Sequence, residues 1–276
     1  MSDVQFDTPI LPTRPCRVRR VSADGARDHE DLLATEVPVA LVFNGLSHVV
    51  MMCSPLDLDD FALGFSLSEG IVGRREEIFS IETVERAAGI ELHLELASAR
   101  FSALKERRRQ LTGRTGCGLC GVESLQQAIR PVGHVGQTLQ LAPGALGRAL
   151  AELETGQTLA METGCTHAAA WCAPDGSVVA VREDVGRHVA FDKLIGARAQ
   201  AGWGAGFALL SSRASYELVH KAAAVGIELL AAMSAPTALA VELAQASGLT
   251  LAAFVRKQRY GLYSHPARVP DSAPQH

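Results

Sequence analysis

Apolar residues follow two rhythms along this chain, and the change between them divides it. In the first half the runs are short or strictly alternating. Residues 37–43 and 46–52 are apolar runs joined by Asn44-Gly45, a pair suited to the positive φ of a two-residue turn, which predicts that a β-hairpin opens the fold. Asp57 stands before Leu58, Phe61, Ala62 and Phe65 at helical spacing, so a helix capped by Asp57 and stopped at Gly70 is expected. Residues 90–96 alternate as a half-buried strand does, with 78–84 as the partner and His93 on the exposed polar face. Residues 98–110 predict a helix carrying Arg100, Lys105, Arg107, Arg108 and Arg109, either a solvated charged face or a docking surface for a partner protein or anionic cofactor. With a further helix over 122–129, these elements make a small α+β domain, placed at 16–130.

Beyond a helix near 145–154, strands and helices take turns. Residues 166–173 and 177–182 flank Pro174-Asp175-Gly176 as a second hairpin. Helices over 186–200, 214–225 and 236–247 then alternate with nearly continuous apolar strands over 207–210, 227–233 and 249–255. Such strands belong in a sheet covered on both faces, parallel at least in part, so a three-layer α/β domain is expected over 131–266. Ligands of such sheets bind beyond the carboxyl ends of the strands. At that edge the sequence places Arg182-Glu183-Asp184, Ser211-Ser212-Arg213, Ser234-Ala235-Pro236 and the basic run 256–259. Helix-start N–H groups near Ala214 and Pro236, with the serine hydroxyls and Arg213, would suit phosphate, with Pro236 at a first helical position. Ser211, Ser212 and Ser234 can equally be plain helix caps.

With 47% apolar residues in 276, the chain can fill one large or two modest cores. A formal charge of −4 argues against a general nucleic-acid binder, so any anionic ligand needs a local basic site. The opening residues carry no secretory signal and no eighteen-residue apolar run lacks charge, which points away from a membrane and to the cytoplasm. Residues 1–15 and the tail from 267, both rich in proline, are expected to be poorly ordered. Met161, Trp171 and Trp203 read as packing residues. His167, on an apolar strand, and His188, at a helix start, are either structural histidines or ligands.

The candidate chemistry lies in 111–121, where glycines alternate with Cys117 and Cys120 on backbone that has the period of neither helix nor strand. Two cysteines at this spacing can form half a zinc site, close a disulfide, or act as nucleophile and resolving thiol. The remaining cysteines, Cys16, Cys53, Cys165 and Cys172, include no second metal-binding pair, and Gly113-Arg114-Thr115-Gly116 stands where a thioredoxin-like motif would need a strand. A reactive thiol pair without a permanent metal is the leading reading. Arg114 and the start of the helix over 122–129 would both favour the thiolate.

RTGCGLCG, with SPLDLDDFALGFSLSEGI before it and TGCTHAAA, REDVGRHVAFDK, SSRASYELVHKAA, SAPTALAVELA and FVRKQR after it, resembles the formate dehydrogenase accessory sulfurtransferase (FdhD) family. The resemblance implies a cytoplasmic homodimer, with a cytidine-deaminase-like fold in its second domain. It implies a sulfurtransferase that takes persulfide sulfur from a cysteine desulfurase and passes it to the molybdenum cofactor, bis(molybdopterin guanine dinucleotide), before that cofactor enters formate dehydrogenase. Cys117, the family's first motif cysteine, would carry the sulfur, and Cys120 would assist. Phe254, Val255, Arg256, Lys257, Gln258 and Arg259 match the family's cofactor contact, with Arg182, His188, Ser211 and Arg213 as further contacts. Three other functions compete with this one, the weakest a redox or zinc-sensing module. A zinc deaminase needs a His or Cys two residues before a catalytic Glu, then Pro-Cys-x-x-Cys downstream. Here Ala168-Ala169 follows His167, and the cysteine pair lacks the proline and lies upstream. A non-catalytic chaperone of the molybdenum cofactor would share every basic feature and differ only in carrying no removable sulfur.

Overall fold

The computed structural model describes residues 10–112 and 132–270, without the side chains of 109–112. Outside the described residues lie 1–9, the expected helix over 122–129, the expected boundary at 130/131 and the tail from 271.

Asn44 and Gly45 take φ of 45° and 78°, and β3 (Val37–Phe43) folds back on β4 (Leu46–Cys53) as the sequence predicts. The Asn44 side chain does a second job, accepting from the Leu96 N–H at 2.9 Å and so fixing β3 to β6 (Gly89–Leu96). With β5 (Ile78–Arg86) these strands form a sheet of order β4-β3-β6-β5, in which β3 and β6 run parallel. Against it lies α1 (Leu58–Ser68), which buries Phe61 and Phe65 among Leu41, Phe43, Leu92 and Leu94. Gly70, at φ 66°, ends the helix, its N–H reaching the Leu67 carbonyl at 3.0 Å. Asp57 occupies the N-cap position but does not cap. Its backbone is left-handed, and its carboxylate lies 3.6 Å from Arg182 instead of on the first helical amides.

The fold does not open on β3–β4. An earlier hairpin, β1 (Thr13–Ser22) with β2 (Gly25–Ala34), precedes it and is ordered from within the stretch expected to be disordered. Its side chains are largely exposed and charged on both faces, so no alternation marked it. In α2 (Ser98–Thr112) the helix runs two residues beyond its predicted end, into the start of the cysteine segment.

The second half follows the predicted order, with an unpredicted short helix over 158–163 and an unpredicted last strand over 259–264. It comprises α3 (Ala145–Gly156), α4 (Thr158–Thr163), β7 (His167–Cys172), β8 (Val178–Asp184), α5 (Arg187–Ala201), β9 (Phe207–Leu210), α6 (Tyr216–Ala224), β10 (Leu229–Ala232), α7 (Ala238–Ser247), β11 (Thr250–Arg256) and β12 (Arg259–Ser264). The sheet order is β12-β11-β10-β9-β7-β8, parallel across β9, β10 and β11 and antiparallel elsewhere. Alternate residues of β9 face opposite ways. Ala208 and Leu210 pack with Phe191 and Leu218 of α5 and α6, while Phe207 and Leu209 pack with Leu146 and Leu150 of α3. The three-layer arrangement is therefore the one expected. Trp171 is buried and Trp203 packs on the same core, but Met161, expected to pack, is exposed on α4.

The two sheets meet at α1 and α5. A methyl group on Gly64 would overlap the Asp192 carbonyl, and one on Gly196 would overlap the Asp60 carbonyl, so the helices touch backbone to backbone. Two buried ionic clusters brace this contact. Lys193 Nζ lies 2.7 Å from Asp184 Oδ2 and 3.1 Å from the Ser54 carbonyl, and Asp184 also accepts from the Ser54 and Gly186 N–H groups. Lys221 Nζ reaches Asp192 at 2.9 Å, Ser68 Oγ at 3.0 Å and Glu69 at 3.1 Å, joining α1, α5 and α6.

Candidate functional site: a basic rim at the strand ends

β7 runs antiparallel to both β8 and β9, so β8, β9, β10 and β11 all end at one edge, where α5, α6 and α7 begin and His167 opens β7. The loops after β9 and β10 are tied there, Ala214 N–H to the Ala235 carbonyl at 3.1 Å and Thr237 N–H to the Ala214 carbonyl at 3.0 Å. The N-cap positions are Gly186, Ser215 and Thr237. Ser211, Ser212 and Ser234 are therefore not caps, and Pro236 precedes the cap of α7 instead of opening the helix. Ser211 Oγ accepts the Ala168 N–H at 2.8 Å, and Ser212 Oγ donates to the Arg213 carbonyl at 3.1 Å.

Much of the REDVGRH segment is committed to structure. Arg182, expected beyond a strand end, lies inside β8 and grips Asp60 of α1 with Nε and Nη2, each at 2.8 Å, so its charge is neutralised. Glu183 accepts from the Leu159 and Ala160 N–H groups at the start of α4, and Asp184 holds Lys193. What is left over is Arg187-His188. Arg187 opens α5, a helix with no acidic residue in its first turn, and its Nε is buried without a partner. A cation there opposes the helix dipole, which favours anions at that end. His188 Nε2 is likewise buried without a hydrogen bond, and Glu217 stands 3.9 Å away. Burial, and then the Arg187 charge, holds the His188 pKa below its usual value. His167 is lowered too, by burial first and then by Arg187 and Arg213, which places both guanidinium groups in its field. Arg213, exposed before α6, has no ion-pair partner among the described residues. Sequence reasoning passed over Arg187. The signal available was an arginine opening a helix whose first turn holds no acid.

The predicted contact 254–259 divides when placed in the fold. Phe254 sits at an irregularity of β11 with φ 52°, its ring half exposed. Val255 points into the core, fully buried, and offers no side-chain surface to a ligand. Arg256 Nη1 donates to the Met233 and Val255 carbonyls at 2.6 and 2.7 Å. Lys257 and Gln258 form the exposed turn to β12, Lys257 lying 3.9 Å from Glu154. Phe254, Arg256, Arg259 and Tyr260 line a cavity of about 340 Å³, and Tyr260 is a member the sequence reading missed. From this corner to the end of β7 is three strand spacings, or about 14 Å, so the two basic clusters occupy separate stations along one rim. A model of the FdhD/NarQ family matches residues 34–270.

The chain belongs to the FdhD/NarQ family. A crystal structure of a candidate formate dehydrogenase accessory protein from Desulfotalea psychrophila superposes with a TM-score of 0.76 over 94% of this chain and 100% of that one, at 22% identity. In this FdhD/NarQ chain Cys117, Cys120 and Arg114 lie outside the described residues. Of the other cysteines, Cys53 and Cys172 are buried, and burial pushes both thiols far above the usual range, so neither is a nucleophile. Cys16 is half-buried and Cys165 exposed. Among the described residues no group of three or more His, Cys, Asp or Glu side chains could hold a metal, and no helix is long and apolar enough to cross a membrane.

Proposed function

We propose that this chain serves formate dehydrogenase maturation as a cytoplasmic, homodimeric sulfurtransferase. Its client is the molybdenum cofactor, bis(molybdopterin guanine dinucleotide), held along the strand-end rim. One observation carries the client-binding part: Arg187 and Arg213 stand beside helix N-termini without an ion pair among the described residues, with Glu217 the acid in the field of Arg187, so an anionic ligand there would meet two guanidinium groups and helix-start N–H groups. Arg259 and the exposed Phe254 ring, at the β11–β12 corner, would take a second portion of an elongated, phosphate-rich ligand, the ring stacking on a base and the guanidinium pairing with phosphate.

The sulfur chemistry is assigned to Cys117 and Cys120. The Cys117 thiolate attacks the terminal sulfur of a cysteine desulfurase persulfide and displaces that enzyme's cysteine thiolate, so the sulfur moves without net oxidation. Cys120 then attacks Cys117 Sγ, the persulfide S–S bond breaks, and hydrosulfide leaves toward the molybdenum as a Cys117–Cys120 disulfide forms. The two electrons gained by the departing sulfur come from the thiol pair, which an external thiol restores.

Incubation with a cysteine desulfurase and cysteine is expected to add one sulfur atom to the 111–121 peptide, removable by reductant and read by mass spectrometry. Cys117→Ala should lose that adduct and fail to activate a formate dehydrogenase while keeping its circular dichroism spectrum. Undiminished activation by Cys117→Ala would instead make the protein a non-catalytic chaperone.

A further inference from the structure

At the far ends of α5 and α6 from the rim, the junction of the two sheets encloses a second cavity, of about 480 Å³. Arg187 opens α5 and Arg198 lies in its last turn, so about 16 Å of helix separates the two places. The wall carries Arg74, Arg75, Arg100 and Arg198 against one acid, Glu76. Behind it Glu77 takes Arg100 Nε at 2.8 Å and stands 3.9 Å from Arg74. Arg75 and Arg198 have no ion-pair partner among the described residues. The Arg198 guanidinium lies over the Trp171 ring, 4.5 Å from its centroid, with Nε buried and unbonded. Among the described residues its guanidinium makes one hydrogen bond, a long one of 3.4 Å from Nη1 to the Val225 carbonyl.

Basic side chains often gather at helix C-termini to satisfy carbonyls there. Here the side chains add little to that: Arg198 reaches the Val225 carbonyl at the end of α6 only at 3.4 Å, and backbone groups close the turns. Gly70 N–H closes on Leu67, Gly202 on Arg198, Gly226 on Ala223 and Ile227 on Ala222. The Arg100 guanidinium lies close against the Gly73 turn, where a Cβ would stand 2.9 Å from Nη2. The rest of the wall is apolar, formed by Leu67, Val72, Ile195, Ala199 and Ala224. Its volume falls in the range of small-molecule sites, which commonly lie between domains.

We propose that this cavity binds a small organic phosphate with an apolar body, the phosphate held by Arg75 and Arg198 and the body resting on the apolar wall. Guanidinium groups match a phosphate bidentately, and the stacked Arg198 loses little further freedom in doing so. Titration calorimetry of the full chain with phenyl phosphate, and separately with inorganic phosphate, tests it. At this cavity phenyl phosphate should bind about tenfold or more tighter than inorganic phosphate, any weaker heat from the rim being separated by the variants below. Arg75→Ala and Arg198→Gln should each weaken it by about tenfold or more, while Arg256→Ala, on the rim, leaves it unchanged. Arg75 is exposed, so its variant keeps the fold and decides the matter even if Arg198→Gln does not fold. Absence of saturable heat, unchanged affinity in Arg75→Ala, or loss confined to Arg256→Ala would overturn the proposal. Equal affinity for inorganic phosphate would overturn the apolar body.

Discussion

Arg187 puts a cation at a helix start with no ion pair among the described residues and the Glu217 carboxylate only in its wider field, which gives its substitution an unusual signature. Arg187→Gln removes a cation from a helix start, so the thermal midpoint should stay level or rise, by the equivalent of about 0.3–1 kcal/mol. Affinity for guanosine diphosphate, a fragment of the proposed client, should fall, as equilibrium dialysis would report. A drop in both would mean that Arg187 is structural. The histidines supply a second prediction. His48, His167 and His188 all have pKa values below the usual 6.5 in the folded chain, with burial the first cause in each case. Once unfolded, each returns to about 6.5. Between those values the unfolded chain binds more protons, so stability present above about pH 6.5 is lost as pH falls toward the folded pKa values, and the loss then levels off. Thermal melts at constant ionic strength between about pH 7.5 and 5.5 should show the midpoint falling; a flat profile would contradict this.

The contact between α1 and α5 invites a packing test. Gly196→Ala forces a methyl group into the Asp60 carbonyl and should cost about 1–3 kcal/mol, as overpacking does, seen as a lower urea midpoint with the slope unchanged. These helices and most strands could be read from the chain because each buries one regular face. Asn44-Gly45 and Pro174-Asp175-Gly176 marked their hairpins, and the strands of the parallel core were continuous apolar runs. The misses have physical reasons. β1 and β2 bury too little for any period to show, β12 hides behind the basic turn 257–258, and α4 is a short helix whose start is satisfied from a distance by Glu183. At the rim, the α/β rule located the edge, but pairing across the two halves was invisible. Nothing local in the sequence says that Arg182 meets Asp60 or that Val255 faces inward.

Taken together, the two sheets form one thermodynamic body. Lys193–Asp184 and Lys221–Asp192 are buried, and each cluster draws partners from both halves. Calorimetry should therefore record one transition whose calorimetric and van't Hoff enthalpies agree, and two resolved peaks would show that the halves unfold separately. Lys193→Met strands the Asp184 carboxylate, which burial already pushes toward its neutral form, and should lower stability by about 3–5 kcal/mol in the same single transition. The glycine crossing carries a mechanical corollary as well. With Gly64 and Gly196 each lying against the other helix's main chain, no side-chain cushion lets one half roll over the other. A hinge that opened or shut one half against the other would have to prise these two main chains apart.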